Sequence, residues 1–331
     1  MEPITIKDIA KALNISTSTV SRALRGSYEI NTETKKLVME YAEKMNYRPN
    51  PIALSLKENR SRAIGVIVPE IANNFFSQAI NGIENIAYNR GYHVVIFQSH
   101  ESYEREMVNV QHLFARKVDG LLISLSGSTR DVNHIENYRE NNFPVVYFDR
   151  VPEITDAHKV VADNFDGAFR ATEYMIQQGK RTIAHITSPP VLSITQERLA
   201  GYKAALEKYG LPIREELIKF CYFSPEEAFN AIDSLIKNYQ PDAFFTASDR
   251  LALNCYEAHK KKIIELPKDV MFFGFTNLNV AHLLEPPLST IVQPALELGQ
   301  TAAEILLDII ENKRRGKGYE TIKLKTDLHI R

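Results

Sequence analysis

Hydroxyl and guanidinium side chains cluster in a short stretch near the amino terminus: Thr17, Ser18, Thr19, Ser21 and Arg22. An arginine can read guanine through two hydrogen bonds, and serine and threonine hydroxyls can bond to phosphates or base edges. Arranged along one helix, such side chains suit the major groove of DNA. The alternative interpretation is an ordinary helical hairpin with a polar outer face.

Two short helices joined by a tight turn must present these side chains. Thr5 is a good N-cap for the first helix, and Ser16 for a second one that runs from Thr17 to Arg25. Asn14 lies between them and tolerates the left-handed conformation that the turn needs. Asn31 caps a third helix, which should turn five apolar side chains inward: Leu37, Val38, Tyr41, Ala42 and Met45. This pattern predicts a helix-turn-helix head.

The charge distribution agrees with a head that binds nucleic acid. Residues 1–62 hold 11 Lys and Arg against 7 Asp and Glu, whereas the rest of the chain holds 29 against 34. A cationic head on a mildly anionic body is the asymmetry expected of a DNA-binding domain that carries a sensor.

Composition and motifs exclude several other classes of protein. No apolar run reaches the ~18 residues of a membrane span, and the first residues do not resemble a signal peptide. Cys221 and Cys255 are too few for a disulfide framework or a zinc site. Dinucleotide-binding, phosphate-loop and zinc-protease motifs are absent from the sequence. We expect a cytoplasmic protein that is not an enzyme and binds neither a cofactor nor a metal.

From Ala63 onward, strand patterns alternate with helix patterns. A first series of expected strands covers 63–69, 93–97, 120–123 and 145–148, and a second covers 160–161, 183–186, 243–245 and 270–273. Such alternation predicts two doubly wound α/β lobes with parallel sheets. A strand at 289–292 and a helix at 296–312 then predict a return to the first lobe. Ligands bind such sheets beyond the carboxyl ends of the strands, here between the lobes.

The head resembles that of the lactose and galactose repressors (LacI/GalR type), a family of bacterial transcription regulators. The similar runs are Thr19-Val20-Ser21-Arg22, Tyr47-Arg48-Pro49-Asn50 and Ala53-Leu54-Ser55-Leu56. The resemblance implies a DNA-binding head (1–48), a hinge helix with its linker (49–62) and a sensor (63–331). It adds Thr5, Tyr47, Asn50, Ala53 and Leu56 to the expected DNA contacts. In the family, the hinge leucine wedges between base steps; packing of Leu56 under the body is the alternative.

The body resembles the family's sensor, whose fold is shared with periplasmic sugar-binding proteins. The similar positions include Asn73 with Phe75-Phe76, 116–121, 163–168, 198–202, Ser248-Asp249, Gly274-Phe275 and 287–290. The resemblance implies a first lobe of about 63–160 plus 292–320, and a second of about 161–290 plus the last residues. Strand ends and family positions together give the expected ligand contacts: Phe75, Phe76, His100, Asp149, Leu192, Ile194, Arg198, Ser248, Thr276 and Gln293.

Three of these residue types have a second interpretation. Arg198 could donate two hydrogen bonds to sugar hydroxyls or to a carboxylate of the ligand, or it could form a surface salt bridge. Phe75 and Phe76 could offer an aromatic face to a sugar ring, or belong to the core. Asp149 could accept hydroxyl protons from a ligand, or pair with the neighbouring Arg150.

We predict a ligand-responsive transcription regulator that binds a palindromic operator as a homodimer. The family resemblance implies that it is a repressor. A small molecule, a sugar or sugar derivative, would control it from the cleft. Thr276 replaces an aspartate of the family, and the loop 189–192 is apolar, so a less hydroxylated ligand is an option. The alternatives are a nucleobase-responsive regulator and a transporter's solute-binding protein. No leucine heptads follow the body, which favours a dimer over a tetramer.

Overall fold

The structure of the protein, a computed structural model, describes residues 4–47, 60–153, 156–222, 224–267, 269–275, 278, 280–314 and 318–331. The chain divides into two compact units, residues 1–61 and residues 62–331. The described part of the first unit is helical, whereas the second contains two α/β lobes. The predicted fold class is therefore confirmed.

Residues 4–47 of the head form three helices, α1 (Ile6–Leu13), α2 (Thr17–Leu24) and α3 (Thr32–Lys44). Their starting points follow from local chemistry, because each is preceded by a residue that caps it. The Thr5 side chain accepts a hydrogen bond from the Asp8 N–H, Ser16 accepts from Thr19, and Asn31 accepts from Thr34. Asn14 has a φ of 53°, in the left-handed region predicted for the turn.

The core of the head is small and comes from all three helices: Ile9, Ala10, Val20, Ala23, Val38 and Ala42. Leu37 and Met45 were predicted to point inward, and this prediction was wrong: they are 50% and 43% exposed. The buried stripe of α3 follows Val38 and Ala42, which are four residues apart on one face. Leu37 lies to the side of that stripe, and Met45 lies beyond the end of α3.

The described residues of the second unit form twelve strands. They are β1 (Ala63–Val68), β2 (His93–Gln98), β3 (Leu121–Ile123), β4 (Val145–Phe148), β5 (His158–Ala162), β6 (Ile183–Thr187), β7 (Ile218–Phe220), β8 (Ala243–Thr246), β9 (Met271–Phe275), β10 (Leu288–Val292), β11 (Thr321–Leu324) and β12 (Asp327–His329). One sheet has the order β11-β5-β4-β3-β1-β2, and the other β12-β10-β9-β8-β6-β7. Neighbouring strands are parallel except β10 and β12.

In the part of this unit that the structure describes, eight α-helices flank the sheets: α4 (Asn74–Asn89), α5 (Tyr103–Ala115), α6 (Asn133–Arg139), α7 (Asn164–Gln177), α8 (Ser193–Lys208), α9 (Pro225–Tyr239), α10 (Asp249–Lys260) and α11 (Ala295–Ile310). In the first lobe, α4 and α11 pack closely. A Cβ atom on Gly82 would lie 2.1 Å from the Leu296 carbonyl oxygen, and one on Gly299 would lie 2.0 Å from that of Ala79. Within the described ranges, no helix combines the length and apolar character needed to cross a bilayer.

The chain passes between the lobes three times, and the first passage differs from the prediction. Strand β5 was expected to open the second series, but it pairs with β4 in register Val146↔His158 and belongs to the first sheet. The first lobe therefore extends to Ala162, and it also takes Thr321–Leu324, beyond the expected limit of 320. The third passage, between β11 and β12, returns the last residues to the second lobe, as the family resemblance implies, since β12 pairs with β10 of the second sheet.

Candidate functional site

The outward face of α2 carries the predicted base-reading side chains. Thr17, Ser18 and Arg22 are exposed, whereas Thr19 and Ser21 are half-buried. The hydroxyl of Ser18 is also engaged locally, 2.7 Å from the Ser16 hydroxyl at the helix N-cap. Arg22 Nη1 lies 3.1 Å from Glu29 Oε2, and both side chains are about half exposed. Exposed pairs of this kind are weak in water, so the face can exchange these partners for others.

The remaining expected DNA contacts differ in their surroundings. Thr5 is exposed, but its hydroxyl donates to Asp8 Oδ2 at 2.6 Å. Tyr47 is half-buried against the core of the head, and this burial raises the pKa of its phenol. Part of its ring therefore stabilises the head itself. Asn50, Ala53 and Leu56 lie outside the described residues.

In the second unit, one cleft is bordered by residues from both lobes, which lie at the carboxyl ends of strands and near the starts of the helices that follow them. It encloses about 350 Å³ of space, part of it open to solvent, and is lined by Asn73, Phe75, Phe76, Asp149, Arg150, Ile194, Arg198, Ser248, Asp249, Phe275 and Gln293. Seven of these belong to the expected ligand contacts. Asn73, Arg150, Asp249 and Phe275 do not, although each lies within two residues of one that does.

The elements of both sheets position these side chains. Asp149 directly follows β4 and Gln293 directly follows β10, while Arg198 lies in the second turn of α8. Ser248 lies between β8 and α10, and its hydroxyl accepts a hydrogen bond from the Leu251 N–H. The carboxyl ends of parallel strands meet at one edge of a sheet, so residues far apart in sequence converge here.

Arg198 is a buried cation of this cleft, so the surface salt-bridge interpretation is wrong. It is 3% exposed. Its Nε donates to Asn164 Oδ1 at 2.9 Å, and its Nη1 donates to the Ala247 carbonyl oxygen. The guanidinium lies 4.0 Å from the centre of the Phe275 ring. Burial lowers the pKa of Arg198 to about 10, which leaves it protonated at neutral pH.

Asp149 is the buried carboxyl group of the same cleft, with 4% exposure. Burial raises its pKa, while the charges of Arg150 and Arg198 and a hydrogen bond from Gln293 act in the opposite direction. The neighbouring Arg150 is engaged elsewhere, since its Nη1 lies 2.7 Å from Glu101 Oε2. Arg150 therefore acts electrostatically on both Asp149 and Glu101.

Phe75 and Phe76 belong to the core, as one of their two interpretations predicts. They are 6% and 3% exposed, belong to the core of the first lobe, and pack edge to face with 5.2 Å between ring centres. Both nevertheless border the cleft. They can present a ring edge or face to a ligand without leaving the core.

Two expected ligand residues do not line the cleft. His100 is exposed, with Nδ1 3.7 Å from Glu70 Oε2, because the chain turns through left-handed backbone after β2. Leu192 is buried, directly precedes α8 and is not one of the residues that line the cleft. Thr276 lies outside the described residues. Among the residues with described positions, no group of three or more His, Cys, Asp and Glu could hold a metal ion.

Both units are similar to known proteins. Residues 5–50 match the family described as "Bacterial regulatory proteins, lacI family", and residues 61–329 match "Periplasmic binding proteins and sugar binding domain of LacI family". The repressor PurR of Vibrio campbellii is 32% identical over 95% of this chain and 94% of its own. The ribose operon repressor of Haemophilus influenzae is 33% identical over 99% and 97%. The crystal structure of the Lac repressor dimer bound to operator and the anti-inducer ONPF covers 100% of this chain and 98% of its own, with a TM-score of 0.85 and 25% identity.

Proposed function

Because this chain belongs to the LacI family and is a DNA-binding transcription repressor, we propose that it binds a palindromic operator as a homodimer and responds to a small molecule. Its relatives are transcriptional repressors rather than enzymes. Two heads would read two half-sites, and the hinge segments 49–62 would hold them at a fixed separation. The site of action would be the cytoplasm, where the operator lies.

The exposed face of α2 supports the DNA-binding half of this proposal. Arg22 would read a guanine, and Thr17 and Ser18 would contact neighbouring bases or phosphates. Leu56 would wedge between central base steps and bend the duplex, as the family resemblance implies. The Lac repressor structure, a dimer bound to operator, is similar along the whole chain and supports both the dimer and the operator.

The effector half rests on two ionisable side chains buried in the cleft, the Arg198 guanidinium and the Asp149 carboxyl group. Arg198 and Asp149 both lose hydration, and burial acts against the charged form of each. A bound molecule would compensate for the lost hydration if it offered a hydrogen-bond acceptor to Arg198 and hydroxyl or N–H donors to Asp149. Neighbouring sugar hydroxyls provide both, which makes a sugar or sugar derivative the first candidate. The similarity to a ribose operon repressor supports it.

A nucleobase is the second candidate, favoured by the aromatic walls of the cleft. Phe75, Phe76 and Phe275 all border it, and a planar ring with N–H donors and carbonyl acceptors could use the same Asp149 and Arg198. Thr276 offers a weaker acceptor than the aspartate of the family, so fewer ligand hydroxyls would be bound at this position.

Binding between the lobes would favour their approach and thereby alter the hinges that hold the heads. The test combines a thermal-shift screen of pentoses, hexoses and nucleobases with gel-shift assays on genomic fragments. A compound that raises the melting temperature, binds by calorimetry and changes the gel shift of one fragment would support the proposal. An Arg198→Met protein should lose the compound and keep the fragment. Failure to bind any fragment would contradict the DNA-binding half, and binding unaffected by Arg198→Met would contradict the cleft.

A further inference from the structure

Glu101, which the sequence did not single out, is a first-lobe residue that contacts Arg150 of the cleft lining. Its side chain is 12% exposed, and Oε2 accepts hydrogen bonds from Arg150 Nη1 and from the Gly127 N–H, each at 2.7 Å. His100 and Glu101 are consecutive non-glycine residues with φ of 48° and 61°. Left-handed backbone at such residues is unfavourable and persists where surrounding contacts hold it.

The other carboxylate oxygen of Glu101 faces the opposite lobe. Oε1 lies 3.5 Å from Nη2 of Arg250, which belongs to α10 of the second lobe. The negative charge of Glu70, another residue of the first lobe, also favours the protonated form of Arg250 and opposes the lowering of its pKa by burial. Two first-lobe carboxylates therefore face one second-lobe guanidinium.

This charge cluster is continuous with the cleft. Arg150 lines the cleft beside the Phe76 ring, whose centre is 5.7 Å from the guanidinium, and Asp249, the neighbour of Arg250, lines it from the other lobe. Burial alone would raise the pKa of Glu101. The charge of Arg150, with hydrogen bonds from Arg150 and Gly127 and the charge of Arg250, lowers it overall, so the carboxylate is ionised at neutral pH.

We propose that Glu101 is a positioning residue of the effector site: it holds Arg150 in the cleft wall and, through its ion pair with Arg250, draws the two lobes together. The inference rests on the proposed function only in that the cleft is taken to be the effector site. In physical terms, the pair biases the equilibrium between open and closed lobes, and any molecule that prefers the closed form benefits from that bias.

The experiment measures the distance between the lobes in the full-length protein with no small molecule added. Glu104→Cys and Leu253→Cys place spin labels on exposed positions, each three residues from one partner of the ion pair. The native Cys221 and Cys255 are 2% and 0% exposed, which protects them from labelling. Double electron–electron resonance then gives the distribution of label distances.

Arg250→Met should shift this distribution to longer distances and broaden it, while Arg250→Lys should retain most of the original distribution because it keeps the charge. Arg214→Met is the matched control, since Arg214 is a second-lobe arginine that pairs with Glu216 of the same lobe. Roughly 1 M salt, where the Debye length is about 3 Å, should move the parent protein toward the Arg250→Met distribution and leave that variant unchanged. A purely structural role would not give this dependence on salt and charge.

Glu101→Gln provides the second arm. It should also lengthen the distances, and adding Arg250→Met to it should have a smaller effect than Arg250→Met has in the parent protein, because the Glu101–Arg250 contact is already lost and only the attraction of Glu70 remains. Distances that are the same in the parent protein and in both variants would overturn the inference. So would an equal shift in Arg214→Met. Neither outcome bears on the screen or the gel shift, which test the proposed function separately.

Discussion

The head and the cleft both bring arginine and oxygen-bearing side chains together, but in opposite surroundings. In the head, Arg22 and Glu29 are about half exposed and Ser18 bonds to its own helix cap. In the cleft, Arg198 and Asp149 are 3% and 4% exposed and are fixed by the fold around them. Water screens the first set and is largely excluded from the second.

This contrast fits the two partners that the sites would bind. A DNA backbone is a highly charged surface that displaces weak local partners by many simultaneous contacts. A small molecule offers few groups, so each contact must be preorganised and shielded from water to give useful affinity. Substitutions in the buried region should therefore have larger individual effects than those in the head.

The largest expected effect concerns acid stability of the second unit. His185 is fully buried between Tyr202 and Phe245, and burial lowers its pKa from 6.5 to about 4. The unfolded chain then binds more protons than the folded one between these values. The contribution is complete above pH 6.5 and is lost as the pH falls toward 4, about 3 kcal/mol in all. Residues 1–62 contain no histidine, so the head lacks this dependence.

Urea unfolding at pH 7 and pH 4.5, followed by circular dichroism, checks this expectation. His185→Gln should flatten the difference between the two pH values, since glutamine can still donate to the Phe245 carbonyl oxygen that lies 3.0 Å from Nδ1. His329→Gln, at an exposed position, is the control. An unchanged pH dependence in His185→Gln would show that other groups cause it.

Next in size is the effect of Arg198→Lys on the compound found by screening. Lysine cannot donate hydrogen bonds to both Asn164 Oδ1 and the Ala247 carbonyl oxygen while it stacks on the Phe275 ring. We expect affinity to fall by about 30-fold, or ~2 kcal/mol, as for the loss of a hydrogen bond to a charged group. Calorimetry measures it, with Arg214→Lys as an exposed arginine control. A change below about threefold would remove Arg198 from the set of ligand contacts.

Local chemistry explains which parts of the molecule the sequence could predict. Thr5, Asn14 and Ser16 act within a few residues of themselves, so the helix starts and the turn of the head followed directly. Asp149 was identifiable as a cleft residue because strand ends converge in parallel sheets. The lobe boundary was misplaced at β5, since hydrogen-bonded pairing, and not order along the chain, decides which sheet a strand joins.

Long-range contacts explain what the sequence could not predict. Glu101, Arg150 and Arg250 meet although 49 and 100 residues separate consecutive members, and none of them carries a motif. Likewise, whether Leu37 of α3 is buried depends on where the other helices of the head lie. Apolar periodicity locates the buried face of a helix only to within about one position.

In the head, Arg22→Ala should weaken binding to the best operator fragment by roughly tenfold, within the 1–3 kcal/mol of a bidentate base contact. Binding to unrelated DNA should fall much less, because phosphate contacts elsewhere remain. Quantitative gel shifts at fixed salt on both DNAs measure the ratio. Equal losses on both would show that Arg22 contacts only phosphate.

The smallest expected effect comes from the partner of that arginine. Glu29→Gln removes the carboxylate 3.1 Å from Arg22 Nη1 and releases the guanidinium for DNA. Because the pair is exposed and screened, we expect affinity for the operator fragment to rise by no more than about threefold. Glu33→Gln, which removes an exposed acid from the first turn of α3, controls for the change in net charge. Gel shifts over a series of salt concentrations compare the two variants. A gain of tenfold or more would mean that the ion pair holds Arg22 away from DNA, and that the head is restrained as firmly as the cleft.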